Sequence, residues 1–522
     1  MAKKRAGRKV KPARVAAVPP PIVESVERQH NATRPAAGLP VETLAAIFES
    51  TIQPMDDLVD SLNVRNFHRK CPTLLPRRSN IIQDHLTQVC HRWREVALAC
   101  PRLWTSIFTG PPEYLDAIIS RSKDTELHVN LLSSKKNPGF EESTLSLAVC
   151  HLPRLRTLVI PFDSVLISIF KQLCTSTPSL RSLVIWHPND GSQAPLEPLL
   201  LRGGTPSLRH LCLYNVDFSW DCKIFRNLTT LRISESLTDV LGNMSVTLAA
   251  LQQMESSLEV LSLVRALPAI SAQDDSPIVT LQNLRELEFH DQIERCTHIL
   301  THLVLPNRPS LRIRISGRSL ALPTLPASLE QLFQVLQDRL ADGGGAGTLT
   351  CLELNPIVGL CVHDSGGHSG LVQRLHVDLS PISVNSRPAW FPLFRMFCTE
   401  TITVLFLHEM HYLNNRAMME LFGPMNRSTV LHCYIFGDPS FDFVSWLFPL
   451  QESFPALVRL TLRRMSMTRA MSGITLPDCL EALLETQSQV RKLPQLVLRL
   501  CSDVSPEIIS KLAKYVGNVS IE

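Results

Sequence analysis

The chain has 522 residues, of which 44% are hydrophobic and 19% charged, with a formal charge of +4; that is enough apolar material for a large core or a long repeat array. No run reaches the roughly 18 to 20 apolar residues of a membrane span, and the first apolar stretch, VAAVPPPIV, is broken by prolines where a signal peptide needs a continuous core. The expected setting is intracellular, cytoplasmic and/or nuclear, and 14 cysteines scattered without a C-x-x-C suit reduced, buried thiols better than a disulfide framework or zinc site.

Residues 1–35 read as a disordered basic tail. Lys3, Lys4, Arg5, Arg8, Lys9, Lys11 and Arg14 occur there with no acid in the first 14 positions, so the remainder of the chain is slightly acidic. A Pro/Ala-rich segment without aromatics cannot bury enough surface to fold alone. KKRAGRKVKPAR fits a nuclear import signal, a loose contact to nucleic acid, or a solvated tail with no address. No basic patch with interleaved aromatics occurs further along the chain, so nucleic acid is not an expected partner.

Two helices are expected next, within residues 36–110. LPVETLAAIFES places Pro40 in the first turn, Glu42 near the positive end of the dipole, and Leu44, Ile47 and Phe48 on one side. After a long basic spacer, about 53–84, the stretch from His85 has apolar residues at Leu86, Val89, Cys90, Trp93, Val96 and Ala97, the spacing of an amphipathic helix. Pro101 ends it, and PRLW turns Leu103 and Trp104 back toward the same core. Cys90 and His91 diverge by about 100° on a helix, so a metal site is not expected, and Arg92 and Arg94 read as the wet face. Without a partner, such a pair of helices is simply a cap on the rest of the chain.

Residues 111–522 read as a leucine-rich-repeat domain, whose dominant signal beyond residue 150 is repetition. L-x-x-L-x-L recurs at Leu155/Leu158/Ile160, Leu180/Leu183/Ile185, Leu208/Leu211/Leu213 and Leu228/Leu231/Ile233. Further copies start at Ser257, Asn283, Thr348, Thr401 and Ala456, with weaker ones at LVQRLHV and near Leu311. The spacing, mostly about 20 to 30 residues, is that of leucine-rich repeats. Each L-x-L is a short strand with alternate residues turned inward. Helical spacing intervenes at SLEQLFQVLQDRL, with Leu329, Leu332, Phe333, Leu336 and Leu340 on one stripe and Ser328 as N-cap, and at NNRAMMELFGP. The fold class is therefore α/β, an irregular solenoid or horseshoe with strands on the concave face. SPEIISKLAKYVG, with Ser505 capping, Pro506 and Glu507 in the first turn and Gly517 as the stop, is the expected capping helix at about 505–516.

These segments carry a resemblance. LPVETLAAIF followed by LTQVCHRWREVALACPRLW resembles the F-box, in the F-box-like form common in mushroom-forming fungi, and YLDAIISRSKDTELHVNLL resembles the stretch leading into the repeats of such proteins. The resemblance implies a substrate-receptor subunit of an SCF-type (cullin-RING) ubiquitin ligase. The short helical F-box-like bundle would dock on a Skp1-type adaptor, and through it a cullin, while the repeats bind an unknown protein substrate. Carried over by position, the adaptor-binding set is Leu39, Pro40, Leu44, Ile47 and Val89, with Trp93 and Trp104 holding the helices together. The spacer departs from the family pattern by its length and basic charge. The alternative is a leucine-rich-repeat recognition or scaffold protein without ligase recruitment.

No catalytic residue or cofactor is expected. HEMH at 408–411 is one residue short of H-E-x-x-H, GGHSG lacks the G-x-S-x-G order, and GGGAG lacks the lysine of a phosphate-binding loop. An undetected hydrolase remains the third reading. For target binding, strand alternation makes Arg156, Arg181, Arg209 and His210 the candidates on the concave face, beside Thr157 and Ser182.

Overall fold

The computed structural model describes residues 38–52, 85–108, 110–131, 138–161, 178–187, 194–195, 205–220, 223–235, 242–270, 276–307, 309–316, 325–341, 349–355, 359–366, 370–378, 402–408, 429–437, 454, 456–468, 470–471, 474–488 and 491–522. The basic tail, the spacer, NNRAMMELFGP and GGGAG lie outside them. The chain divides into two compact units between Thr157 and Leu158.

In the first unit, helix α1 (Val41–Ser50) starts after Pro40, has Glu42 in its first turn, and buries Leu44 and Phe48. The helix expected from His85 is interrupted. Residues 85–88 are helical, the chain bends at Val89, and Cys90 is extended (φ −159°) as N-cap of α2 (His91–Ala99). The Cys90 Sγ accepts the Trp93 N–H at 3.5 Å, so this thiol caps a helix rather than packing on a buried stripe. Arg94 Nε donates to the Thr87 carbonyl at 2.8 Å and bridges the break. Pro101 ends α2, and the 3-10 turn Pro101–Trp104 buries Leu103 and Trp104. Strand β1 (Ser106–Phe108), helix α3 (Pro112–Ser122) and strand β2 (Leu127–Asn130) come next, with β1 and β2 parallel and Ile107 opposite Val129. Helix α4 (Pro138–Cys150) leads to β3 (Leu155–Pro161), within which the unit boundary falls.

The second unit is a stack of parallel strands. β4 (Ser182–Trp186), β5 (His210–Tyr214), β6 (Thr230–Ser234), β7 (Val260–Val264), β8 (Glu286–Asp291) and β9 (Ser310–Ile315) pair in chain order. Their register aligns Leu183, Leu211, Leu231, Leu261, Leu287 and Leu311 in one row. A second row is Ile185, Leu213, Ile233, Leu263, Phe289 and Ile313, and none of the twelve is more than 1% exposed. The inward leucines of the sequence repeat are thus the core of this unit.

Helices alternate with strands only in part. α5 (Met244–Gln252) joins β6 to β7, α6 (Ile293–Thr301) joins β8 to β9, and α7 (Leu325–Ala341) comes after β9. Between β5 and β6 the described residues hold a 3-10 turn, Lys223–Phe225, and no α-helix. An aromatic plug of Phe218, Trp220 and Phe225, each no more than 2% exposed, with ring centroids 5.1–5.6 Å apart, fills the place of a helix there. α7 buries Leu329, Leu332, Phe333 and Leu336 as the spacing predicts, but it begins three residues before Ser328, which is not its cap.

The largest departure from a simple repeat lies in the middle of this unit. β10 (Leu349–Asn355) and β12 (Gly370–Asp378) fall where two repeat copies are expected, yet β11 (Gly359–Gly366) runs antiparallel between them. β12 pairs with β9, and β10 pairs with β13 (Val404–His408), so the chain fills three positions in reverse spatial order. Parallel stacking then resumes through β14 (His432–Phe436), β15 (Arg459–Arg463), β16 (Leu493–Arg499) and β17 (Val516–Ile521). Helices α8 (Leu476–Ser488) and α9 (Pro506–Ala513) precede the last two strands. Ser505 Oγ accepts the Ile508 N–H at 3.3 Å, the expected cap. Gly517 does not stop the helix: it lies in β17, where a Cβ would meet the Pro494 carbonyl oxygen at 2.8 Å. Close approach of two backbones, rather than a helix end, requires glycine there.

A second device recurs at the strand ends. The residue just after β5, β6, β7, β14, β15 and β16 is left-handed: Asn215 (φ 54°), Glu235 (58°), Arg265 (50°), Gly437 (77°), Arg464 (55°) and Leu500 (51°). Each of these N–H groups donates to a carbonyl at the end of the next strand, at 2.7–3.1 Å. The ladder therefore runs one residue past each strand and turns the chain away from the sheet. An L-residue pays a steric cost in this region that glycine does not. Leu500 is 58% exposed and has little packing to lose. Leu500→Gly is expected to stabilise the protein by about 0.5–1 kcal/mol in urea unfolding; a loss of stability would show that the side chain matters more than the strain.

Candidate functional site

The helical unit separates its apolar residues into two groups. Leu44 and Phe48 of α1, Val96 and Ala97 of α2, and Leu103 and Trp104 of the adjoining turn are each no more than 5% exposed. The Phe48 and Trp93 rings meet at 5.1 Å. Trp104 donates its indole N–H to the Ala97 carbonyl at 2.8 Å, and the Arg121 guanidinium lies 4.4 Å from the Trp104 ring centre. Cys100 Sγ donates to Glu49 at 3.4 Å, and Arg102 meets the other oxygen of Glu49 at 3.2 Å. The cluster of thiols and aromatics between Cys90 and Trp104 is thus largely a packing core.

The second group stays in solvent. Ile47 is 42%, Val89 54% and Val41 51% exposed; Pro40 is exposed and Leu39 half-buried. Leu44, expected among the outward residues, has no exposed surface: it sits one turn before Phe48 on the inner stripe of α1 and cannot reach a partner from there. Arg92 also departs from expectation. It is half-buried, and its guanidinium donates to the Leu39 carbonyl, which fixes the start of α1 to α2.

The strand-face candidates do not converge on one site. Arg156 belongs to the first unit and is ion-paired with Glu126. Thr157 and Ser182 are fully buried. Arg181 is exposed, and its carbonyl accepts the N–H groups of Arg209 and His210. Arg209 directs its guanidinium to the carbonyls of Pro206, Leu208 and Asn227 (3.2, 2.9 and 3.4 Å), fastening one turn of the repeat to the next. His210 is half-buried on the open face of β5. On that face Val184, Cys212 and Tyr214 are themselves buried, and burial pushes the Tyr214 phenol well above its usual range.

Sequence reasoning missed the richer part of the open face, on β13 to β16. Its twelve positions, by alternation with the buried leucines, are Val404, Phe406, His408, His432, Tyr434, Phe436, Arg459, Thr461, Arg463, Gln495, Val497 and Arg499; Thr461 and Val497 are buried, Arg499 is exposed and the others are half-buried. Phe406 and Tyr434 stack at 4.6 Å, His408 and Phe436 at 4.1 Å, and the Arg463 guanidinium lies 5.3 Å from the Phe436 ring centre. Aromatics at three neighbouring places between the inward residues of VLFLH and HCYIF, Phe406, Tyr434 and Phe436, were the available signal.

Among the described residues no group of three or more His, Cys, Asp or Glu is placed to hold a metal ion, and no helix is long and apolar enough to cross a membrane. Burial raises the Cys100, Cys296 and Cys479 thiols and pushes Cys433 up to about 12, so these sulfurs are held protonated rather than reactive. Of HEMH, only His408 is described, on the open strand face; of GGHSG, only Gly366 and Gly370, at facing ends of β11 and β12.

No protein-family model and no curated protein matches the chain. Among solved structures it is similar to the leucine-rich repeat-containing protein LegL7 from Legionella pneumophila, at 10% identity, 69% of this chain, 98% of that chain and a TM-score of 0.24. It is also similar to a chain of the yeast Rad7 and Elc1 complex, at 10% identity, 88% and 93% coverage and a TM-score of 0.21. Likeness at this level defines neither fold nor function; the parallel leucine-cored strands described above define the fold.

Proposed function

We propose that the chain is the target-binding subunit of an SCF-type ubiquitin ligase, with the helical unit held by a Skp1-type adaptor and the repeat strands holding a protein to be modified. The chemistry would belong to other subunits. One observation supports this most: the helical unit closes a core on Leu44, Phe48, Leu103 and Trp104 while leaving Ile47, Val89 and Pro40 exposed and Leu39 half-buried. Apolar side chains of this kind are worth roughly 1.5–3 kcal/mol each when a partner buries them, so a few suffice to anchor an adaptor.

The test is retention of the purified full chain on an immobilised Skp1-type adaptor. Wild type should be retained and Ile47→Asp/Val89→Asp lost, with a melting curve within about 0.5 kcal/mol of wild type, as for other surface changes. Leu44→Asp should instead unfold the helical unit. No retention of the wild type, or equal retention of the double variant, would favour a repeat-based recognition protein whose helices merely cap the array.

A further inference from the structure

The open face of β13 to β16 is divided across the strands. Phe406, His408, Tyr434 and Phe436 occupy the first two strands, and Arg459, Arg463 and Arg499 the next two, with no acid at any of the twelve positions. Arg459 is paired with Glu522 at 3.0 Å. Arg463 and Arg499 have no ion pair among the described residues, and the register of β15 with β16 places them side by side. The open face of β8 and β9 is different: Glu286 and Glu288 stand opposite Ser310 and Arg312, so charges of both signs are mixed there.

The ring geometry selects among anionic partners. Phe406 and Tyr434 are stacked with an interplanar angle of 20°, His408 and Phe436 with one of 12°, and the second face of Phe436 lies toward Arg463. Each ring of these pairs gives one face to its neighbour, which leaves less free π-face for a nucleobase to stack on. Ring edges carry the positive part of the aromatic quadrupole. A surface of aromatic rings beside guanidinium groups is complementary to a peptide that carries an apolar residue close to carboxylates. The chain's own basic N-terminal segment, with seven cations and no acid in residues 1–14, has the wrong charge to fill it.

We propose that this face binds an acidic linear segment of the target protein, with an apolar residue over Phe406, Tyr434 and Phe436 and carboxylates on Arg463 and Arg499. This rests on the reading that the repeats hold the target. Two strand spacings separate the halves, about 10 Å, which an extended peptide covers in about three residues. The recognised pattern is therefore an apolar residue with Asp or Glu about three positions away.

The experiment is selection of a random dodecapeptide phage library on the immobilised full chain, and then fluorescence anisotropy with the synthetic consensus peptide. The expected result is enrichment of Asp or Glu near an apolar residue. Arg463→Gln/Arg499→Gln should weaken the peptide by about tenfold or more, as loss of close charge pairs does, with circular dichroism confirming the fold. Rising salt should weaken the wild type and have less effect on the variant. No enrichment, a basic or neutral consensus, equal affinity of the variant, or binding of oligothymidine in place of the peptide would overturn the proposal. Adaptor retention measured on the same preparation separates the two readings: peptide binding without adaptor retention removes only the ligase role, and the reverse removes only this site.

Discussion

Trp104→Ala is expected to lower the stability of the helical unit by about 3–5 kcal/mol, the usual cost of emptying a buried aromatic site. Trp104 is 1% exposed, and its indole N–H donates at 2.8 Å to the Ala97 carbonyl, which also accepts the Cys100 N–H at 3.3 Å, so the side chain adds a second bond at the end of α2. The Arg121 guanidinium over the ring adds a cation–π contact. Trp104→Phe should keep most of the apolar contact and lose the hydrogen bond, costing less. Amide hydrogen exchange of residues 41–52 and 91–104 is the readout. A Trp104→Ala change below about 1 kcal/mol would mean that the site collapses to fill the void, and that the turn after α2 is not the keystone of this unit.

The second large effect is expected at Asp291, which ends β8 at 4% exposure. Its Oδ2 accepts the Leu267 N–H at 3.1 Å, its Oδ1 the Gln292 N–H at 2.8 Å, and Arg295 stands 3.7 Å away. Arg295 also donates to the Leu267 carbonyl at 2.9 Å. Asp291→Ala leaves two N–H groups and a largely buried guanidinium without their anion, at a cost of about 3–5 kcal/mol.

The same carboxyl predicts a pH signature. Burial raises its pKa above the ordinary 3.8, against the opposing pull of the Gln292 and Leu267 N–H groups and of Arg295. The folded state then holds the proton more tightly than the unfolded state, so this group's contribution is fullest below pH 3.8 and declines as pH rises through the folded value. Across that window the wild type should gain less stability with rising pH than Asp291→Asn does. A difference of the opposite sign would place the folded pKa below 3.8. Ionisation is thus less favourable here than in water, yet deletion costs more still, because it orphans the donors.

Much of the fold was legible because its core is periodic. The leucine rows from Leu183 to Leu311 lie where the repeat places them, since a parallel strand buries alternate residues at fixed offsets. The reversed order of β10 to β12 was not legible: Leu352 and Leu375 satisfy the same pattern whether the neighbouring strand is the previous or a later one. The left-handed corners were hidden for another reason. Asn215, Glu235, Arg265, Gly437, Arg464 and Leu500 share a backbone conformation but no residue type. In the helical unit, Leu44 and Ile47 lie three residues apart on a single apolar stripe. Sequence spacing cannot divide such a stripe between core and surface; the packing of Phe48 on Trp93 does so. The aromatic and arginine positions of β13 to β16 were readable in principle, but attention to the inward leucines passes over the residues between them.

The most direct test of adaptor docking is hydrogen exchange of the full chain with and without a Skp1-type adaptor. Protection that rises in residues 39–52 and 86–100, with β4 to β17 unchanged, is the predicted result. Protection confined to the repeat strands, or no change on adding the adaptor, would contradict it.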